Sequence, residues 1–145
     1  MGQKKVITKT APGETAAPKN ETKTKAVSKI EGGKIFIYIN ATYNNTMITA
    51  ADRKGDVLGW VSAGSLGFSG PKKATPFAAS KVAEALLEKL KELKSLEAEI
   101  LVRGVGSGRD SALRTLANLG LNIQSIKDMT PIPHNGPKPP KVRRV

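Results

Sequence analysis

Two arginines and three glycines in the last third of the 145-residue chain form the pattern best suited to bind a ligand. Arg103 and Arg109 bracket Gly104, Gly106 and Gly108 in the segment RGVGSGR. Glycine lets the backbone turn sharply because it has no Cβ that clashes. A turn that leads into a helix directs free N–H groups and the positive end of the helix dipole outward. The spacing therefore predicts a corner that binds phosphate.

Two regular elements must hold this corner. Before it, Ala98, Ile100 and Val102 alternate with polar residues at the period of a strand. After it, Ser107 is placed to act as an N-cap, with Asp110 three residues later to close a capping box. The apolar stripe of the predicted helix and its glycine stop are Ala112, Leu113, Leu116, Ala117 and Gly120.

The glycines of the corner also fit a purely structural interpretation. Their spacing is G-x-G-x-G, which differs from the dinucleotide fingerprint, and no Gly-Lys-Ser/Thr follows as in a P-loop. A tight turn between strand and helix needs glycine merely to pack closely. The flanking arginines favour a polyanion as the ligand of this corner. Both interpretations, a phosphate site and a purely structural turn, stay open at this point.

Charge and composition narrow the classes of function. The net charge is +12 and the isoelectric point about 10.1, which indicates nucleic acid or an anionic surface as partner. The chain has no cysteine, and its single histidine, His134, cannot build a zinc site alone. Residues 35–39 form the longest apolar run, far shorter than the roughly 20 residues that span a membrane. We expect a soluble intracellular chain without metal, cofactor or membrane.

The remaining pattern predicts an α/β fold with one domain. A mixed sheet of about five strands is expected: a three-stranded antiparallel meander, then helix, strand, helix and strand. The outer strands are predicted at 34–40, 46–51, 56–63 and 121–127, with a short hairpin connection at 52–55. A helix capped by Thr75, with Pro76 in its first position, is predicted to have the apolar stripe Phe77, Val82, Leu86, Leu90 and Leu93. The domain organisation has three parts: a disordered basic arm at 1–33, a globular domain at 34–129, and a stiff proline-rich basic tail at 130–145.

The aromatic residues of the predicted strands have two uses. One use is to stack nucleobases, which is possible for Phe36, Tyr38 and Trp60. Aromatic residues within strong strand patterns more often cover a core, and we predict that these three belong to the core. The loop tip at 43–45 is better placed for direct contact with a partner. A second glycine-rich basic loop at 64–74, with an exposed Phe68, precedes the capped helix.

Three motifs carry a resemblance to a known family. They are GWVSAGSLGFSGPKKATPFAA at 59–79, GVGSGR at 104–109 and DMTPIPHNG at 128–136, the last followed by a basic proline tail that ends in Arg143-Arg144-Val145. From 35 to 145, about three quarters of its length, the chain resembles the eleventh protein of the small ribosomal subunit, in its bacterial or organellar form. The chain departs from the family where its glycine loop, often rich in arginine, has Ser69, Pro71 and Lys72. In the tail, Lys138 stands in place of a frequent arginine and Val142 in place of a basic residue.

The resemblance implies a structural protein of the small-subunit platform near the mRNA exit region. Its expected partners are small-subunit ribosomal RNA and neighbouring ribosomal proteins, with mRNA near the exit as a further candidate. The expected location is the cytoplasmic ribosome, with an organellar ribosome left open. The residues selected for RNA binding are Asn44, Asn45, Lys72, Lys73, Arg103, Arg109, Arg114, His134, Asn135, Lys138, Lys141, Arg143 and Arg144. His134 has a second interpretation, in which it braces the proline turn.

Two other classes of function compete with this one. An enzyme would need converging carboxylates or a Ser-His-Asp set, and the sequence offers neither, so no catalytic residue is predicted. A general nucleic-acid chaperone or DNA-binding protein would bind duplexes with little sequence preference. A proline-rich tail can also serve as an SH3-type ligand, but its density of lysine and arginine favours RNA.

Overall fold

Five strands and two helices are present in the computed structural model, which describes residues 33–91 and 97–141. The elements are β1 (Lys34–Ala41), β2 (Thr46–Asp52), β3 (Val57–Ser62), α1 (Pro76–Lys89), β4 (Glu97–Arg103), α2 (Gly108–Asn118) and β5 (Asn122–Asp128). The strands form one sheet in the order β3-β2-β1-β4-β5. β1 pairs antiparallel with β2, as does β2 with β3, whereas β1–β4 and β4–β5 are parallel pairs. The predicted fold class is confirmed.

Strands β2 and β3 are joined by a tight turn at the predicted position. Gly55 has a φ of +92°, and its N–H donates to the Asp52 carbonyl at 2.9 Å. Only glycine adopts this left-handed backbone without a Cβ penalty. The predicted hairpin at residues 52–55 is therefore confirmed.

The core lies on one side of the sheet. Ile35, Ile37 and Ile39 alternate along β1 and are fully buried, and Ile100 of β4 joins them. Both helices pack against this side and against each other. Burial of these branched side chains stabilises the fold, at roughly 25 cal/mol per Å² of apolar surface removed from water.

Helix α1 confirms its predicted start and corrects part of its predicted stripe. Thr75 is the N-cap, and its hydroxyl accepts from the Ala78 N–H at 3.3 Å. Val82, Leu86 and Leu90 are buried as predicted, and Leu93 lies outside the described residues. Phe77 is 65% exposed, so its predicted core position is wrong. The ring of Phe77 meets that of Phe68 edge-on at 6.1 Å, and Phe68, predicted to be exposed, is half-buried against the core. Phe77, the second residue of α1, is therefore exposed, while Phe68 contributes to the core.

Helix α2 ends as predicted but buries fewer residues. Ala112 and Leu116 are fully buried and Leu113 is half-buried, whereas Ala117 is exposed and its prediction is wrong. Gly120 follows the last turn with a φ of +82°, which confirms the glycine stop.

Neither helix, nor any other element of the described residues, covers the other side of the sheet, and we call this side the open face. Side chains alternate between the two sides of a strand, so Phe36 and Tyr38 point away from the buried isoleucines of β1. Tyr38 is 43% exposed and Trp60 51% exposed, while Phe36 is half-buried. The prediction that these aromatics belong to the core is therefore wrong, because both helices pack on the opposite side. Of the described helices, none has the length and apolar character to cross a membrane.

Candidate nucleic-acid interface

Several functional candidates meet at one edge of the sheet. Because β1, β4 and β5 are parallel, their carboxyl ends lie side by side, with Asn40 opposite Arg103 and Val102 opposite Asp128. We call this region the carboxyl edge. It comprises residues 41–45, 103–109 and 128–130.

The glycine turn packs directly on the loop between β1 and β2. The Gly106 N–H donates to the Ala41 carbonyl at 2.9 Å. A Cβ on Gly104 would lie 2.1 Å from the Ala41 oxygen, and one on Gly106 would lie 2.4 Å from the Thr42 oxygen. These distances leave no room for a methyl group. Close packing thus accounts for the glycines without any ligand.

Ser107 does not cap helix α2 with its side chain. Its backbone is helical, with a φ of −64° and a ψ of −17°, whereas a capping side chain needs an extended residue. Its hydroxyl donates instead to the Ala74 carbonyl at 2.9 Å. The predicted capping box with Asp110 is therefore wrong. The bond joins the glycine turn to the loop that precedes α1.

Arg109 connects the glycine turn to the end of β5. Its Nη2 donates to the Asp128 carboxylate at 2.5 Å, and its Nη1 donates to the Gly104 carbonyl at 3.2 Å and to the Thr130 hydroxyl at 3.5 Å. The side chain is 31% exposed. The guanidinium of Arg109 therefore bonds to three groups of the protein itself. Its contact with RNA stays a prediction.

Asp128 and Thr130 are structural residues of the site that the sequence prediction missed. One oxygen of Asp128 accepts from the Thr130 N–H at 2.9 Å and from its hydroxyl at 2.7 Å. These bonds, together with the Arg109 guanidinium, lower the pKa of Asp128 to about 2. The Thr130 hydroxyl also accepts from the Gly104 N–H at 3.2 Å. An Asp whose side chain bonds the backbone two residues on is an Asx turn, and the spacing D-x-T was the available signal.

The amides of the β1–β2 loop face different ways. The Thr42 hydroxyl accepts from the Asn45 N–H and donates to the Asn45 carbonyl, both at 3.1 Å. Asn44 is exposed, whereas the side-chain oxygen of Asn45 is buried and has no hydrogen-bond partner among the described residues. Asn44 is thus the amide of this pair that the loop presents to solvent.

The remaining cations of the domain lie on its surface. Arg103, at the end of β4, and Arg114, on α2, are exposed and form no ion pair with another described residue. Lys72 is exposed and Lys73 half-buried in a single 3-10 turn, Gly70–Ala74, that precedes α1. The structure therefore does not gather all candidates: Arg103 shares the carboxyl edge with Asn44, and the lysines occupy a separate loop.

The tail leaves the carboxyl edge as an extended segment. Described up to residue 141, it is exposed at His134, Asn135, Lys138 and Lys141. Asn135 has a φ of +58°, a left-handed conformation that asparagine tolerates. Arg143, Arg144 and the arm up to residue 32 lie outside the described residues.

The carboxylates take part in separate structural contacts. Glu99, on the open face, pairs with Lys127 and, at 3.9 Å, with Lys34, and the hydrogen bond from Lys127 lowers its pKa. Asp52 accepts from the Arg53 N–H at 2.7 Å. Within residues 33–91 and 97–141, His, Asp and Glu do not form a group that could hold a metal ion.

Comparison with known proteins identifies the class of protein and then its family. The α/β fold, the cations at the carboxyl edge and the basic tail define a small cationic protein. Its relatives are ribosomal proteins. The family model of ribosomal protein S11 matches residues 35–144, so the chain belongs to the ribosomal protein S11 family. The resemblance inferred from the sequence is confirmed.

Three relatives illustrate the extent of the similarity, and each is named small ribosomal subunit protein uS11. The relative from Treponema pallidum (strain Nichols) is 52% identical over 109 residues, covering 75% of this chain and 86% of the relative. That from Rippkaea orientalis is 48% identical over 131 residues, covering 90% and 99%. That from Borreliella burgdorferi (strain ZS7) is 45% identical over 127 residues, covering 88% and 98%.

Proposed function

We propose that the protein is a structural component of the small ribosomal subunit that binds ribosomal RNA through its carboxyl edge, the exposed Arg114 of α2 and its tail. In this proposal it lies on the platform near the mRNA exit region and supports subunit assembly and translation. Its further partners are neighbouring small-subunit proteins and mRNA near the exit. In this role the protein catalyses no reaction and binds no metal or cofactor.

One observation carries the proposal: a basic tail begins at a fixed point beside exposed polar and cationic groups. Asp128 and Thr130 hold the first residues of the tail against Gly104, and Arg109 closes the contact. Arg103 is exposed at the same edge. Phosphate contacts of this kind position a protein on RNA, while the shape of the folded RNA supplies selectivity.

The stiffness of the tail favours the same function. Five of the residues from 130 to 145 are prolines, which restrict the backbone to extended conformations. A segment that is already extended loses little conformational entropy when it is laid along a phosphate backbone. Lysine at 138 and 141 neutralises phosphate as a point charge, without the bidentate geometry of arginine.

Arg109 contributes to this function mainly as a positioning residue. A guanidinium has five N–H donors, and three contacts here are intramolecular. The partial exposure of the side chain leaves room for a phosphate on the remaining donors. Holding the turn and the tail together is the part of its role that the geometry defines.

Two glutamine variants separate RNA contact from support of the fold. Arg114→Gln is expected to lower affinity for small-subunit ribosomal RNA by about 1 kcal/mol or more, with stability changed by less than about 0.5 kcal/mol. Arg109→Gln is expected to lower the melting temperature and to speed amide exchange at Met129 and Thr130, because the tether is lost. Filter binding, thermal melting and amide exchange measure the three quantities.

The matched control is Arg53→Gln, which removes the same charge from the exposed β2–β3 hairpin, at the opposite end of the sheet. Its affinity and stability should stay close to those of the unmodified chain. If Arg109→Gln reduces affinity but leaves melting and exchange unchanged, Arg109 is a phosphate clamp and not a tether. If the Arg53 variant loses as much affinity as the Arg114 variant, binding follows net charge and not a defined surface.

A further inference from the structure

A shallow groove of about 280 Å³ lies on the open face, next to the carboxyl edge. Its residues form two rows across three neighbouring strands. Thr49, Tyr38 and Leu101 are side by side in the first row, and Met47, Asn40 and Arg103 in the second. Met129, at the start of the tail, completes the wall. We call this feature the open-face groove.

The first row of the groove presents mainly apolar surface. Tyr38 presents an aromatic ring that is nearly half exposed, between Leu101 on one side and Thr49 on the other. Met47 and Met129 are also exposed. Nucleobases stack on exposed aromatic rings of this kind because every base has an apolar π-face.

Polar groups stand in the second row of the groove. Asn40 is half-buried and offers an amide, which has both donors and an acceptor for the edge of a base. Arg103, beside it in the register, is exposed and has no ion pair among the described residues. The groove thus combines a stacking surface, a hydrogen-bonding amide and one available cation.

The charge around the groove selects an anionic ligand. Among the described residues, the lining contains one cation, Arg103, and no carboxylate. The nearest acidic residue on the same side of β4, Glu99, is 7% exposed and is neutralised by Lys34 and Lys127. A nucleotide, with a flat base and a phosphate, matches this distribution better than a neutral apolar ligand.

The size of the groove argues against a folded protein as its occupant. A stable protein interface takes about 20–30 residues on each side, which is far more than this groove presents. A volume of about 280 Å³ is suited to one flat ring system with its sugar. The adjoining carboxyl edge is where the proposed function already places RNA.

We propose that the open-face groove binds one unstacked base of the ribosomal RNA. The base stacks on Tyr38, its edge bonds to Asn40, and Arg103 contacts the neighbouring phosphate. This inference rests on the proposed function, since the base belongs to the RNA that the carboxyl edge binds. It assigns a sequence-reading role to a part of the molecule other than the phosphate-contacting loops and tail.

Three variants test the proposal with in vitro transcribed small-subunit ribosomal RNA at a fixed salt concentration. Tyr38→Leu keeps apolar bulk but removes the ring, and should weaken binding about fivefold or more. Tyr38→Phe keeps the ring and should bind within about twofold of the unmodified chain. Arg103→Gln should weaken binding several-fold and reduce the log–log salt slope by about 1. Since Tyr38 and Arg103 are exposed, melting temperatures should not change.

Arg53→Gln is again the control for loss of charge, and it should not weaken binding to this degree. The proposal is overturned if Tyr38→Leu binds the RNA as tightly as the unmodified chain, or if Tyr38→Phe is as weak as Tyr38→Leu. Unchanged RNA affinity together with poor retention of Tyr38→Leu in reconstituted subunits would instead make the groove a protein-docking surface. Failure of the unmodified chain to bind this RNA would refute the proposed function itself, a result distinct from failure of the groove alone.

Discussion

Replacing Gly104 by alanine is expected to destabilise the protein by about 2–5 kcal/mol. The new methyl group would lie 2.1 Å from the Ala41 carbonyl oxygen, so the turn must move away from the β1–β2 loop. Overpacking of this kind costs about 1–3 kcal/mol, and more where the neighbour is backbone that cannot move aside. The φ of +101° adds the strain of a left-handed residue, about 1–3 kcal/mol.

Gly120→Ala is the matched control for this variant. Gly120 also has a positive φ, +82°, but a Cβ there would meet no atom within 4 Å. This control variant should therefore lose only the stability that the left-handed backbone costs, about 1–2 kcal/mol. Urea unfolding measures both variants. Equal losses for Gly104→Ala and Gly120→Ala would show that the glycine turn is not packed against the β1–β2 loop in solution.

Truncation after Gly136 is expected to flatten the salt dependence of RNA binding. The deletion removes four cations, Lys138, Lys141, Arg143 and Arg144. Each phosphate that a cation neutralises contributes about 0.7–0.9 to the slope of log affinity against log salt, because it releases a counterion. If all four cations contact phosphate, the slope should therefore fall by about 3. Titrations of small-subunit ribosomal RNA at several salt concentrations give the slope directly.

A full-length chain with glutamine at these four positions is the control for the truncation. It keeps the prolines and the length of the tail and removes only the charge. The account predicts the same reduction in slope for both chains. An unchanged slope in the truncated chain would mean that the tail does not contact phosphate in the complex.

Local patterns predicted the elements of the fold because their causes are local. Alternation of Ile35, Ile37 and Ile39 selects a strand with one apolar side, whatever lies elsewhere in the chain. Thr75 before Pro76 marks the start of a helix by the same kind of short-range chemistry. The order of elements then allowed few arrangements other than one mixed sheet.

The errors concern partners that are distant in sequence. The pattern around Tyr38 and Trp60 is that of strand residues that cover a core. Both side chains are exposed because the two helices pack on the opposite side of the sheet. Ser107 has the right residue type for an N-cap, yet the Ala74 carbonyl, 33 residues away, receives its hydroxyl. No periodicity in the sequence indicates such a contact.

The corner around Arg109 shows how tertiary contacts change a functional assignment. Arginine beside a glycine turn and a helix start predicts a phosphate site from short-range features alone. The partner of Arg109 is Asp128, 19 residues further along, and the pair joins the turn to the tail. The glycine turn, Arg109 and the start of the tail thus meet in the structure, and the contacts of Arg109 there support the fold. Its contact with phosphate stays a prediction.

If the protein is an integral part of the small ribosomal subunit, it should stay bound when isolated subunits are washed with concentrated salt. At about 1 M salt the Debye length is about 3 Å, so proteins attached only by general electrostatic attraction are released. We expect the protein to sediment with the washed small subunit in a sucrose gradient, at one copy per subunit. Its appearance at the top of the gradient after the wash, with the subunit otherwise intact, would refute this role and indicate a general nucleic-acid-binding protein.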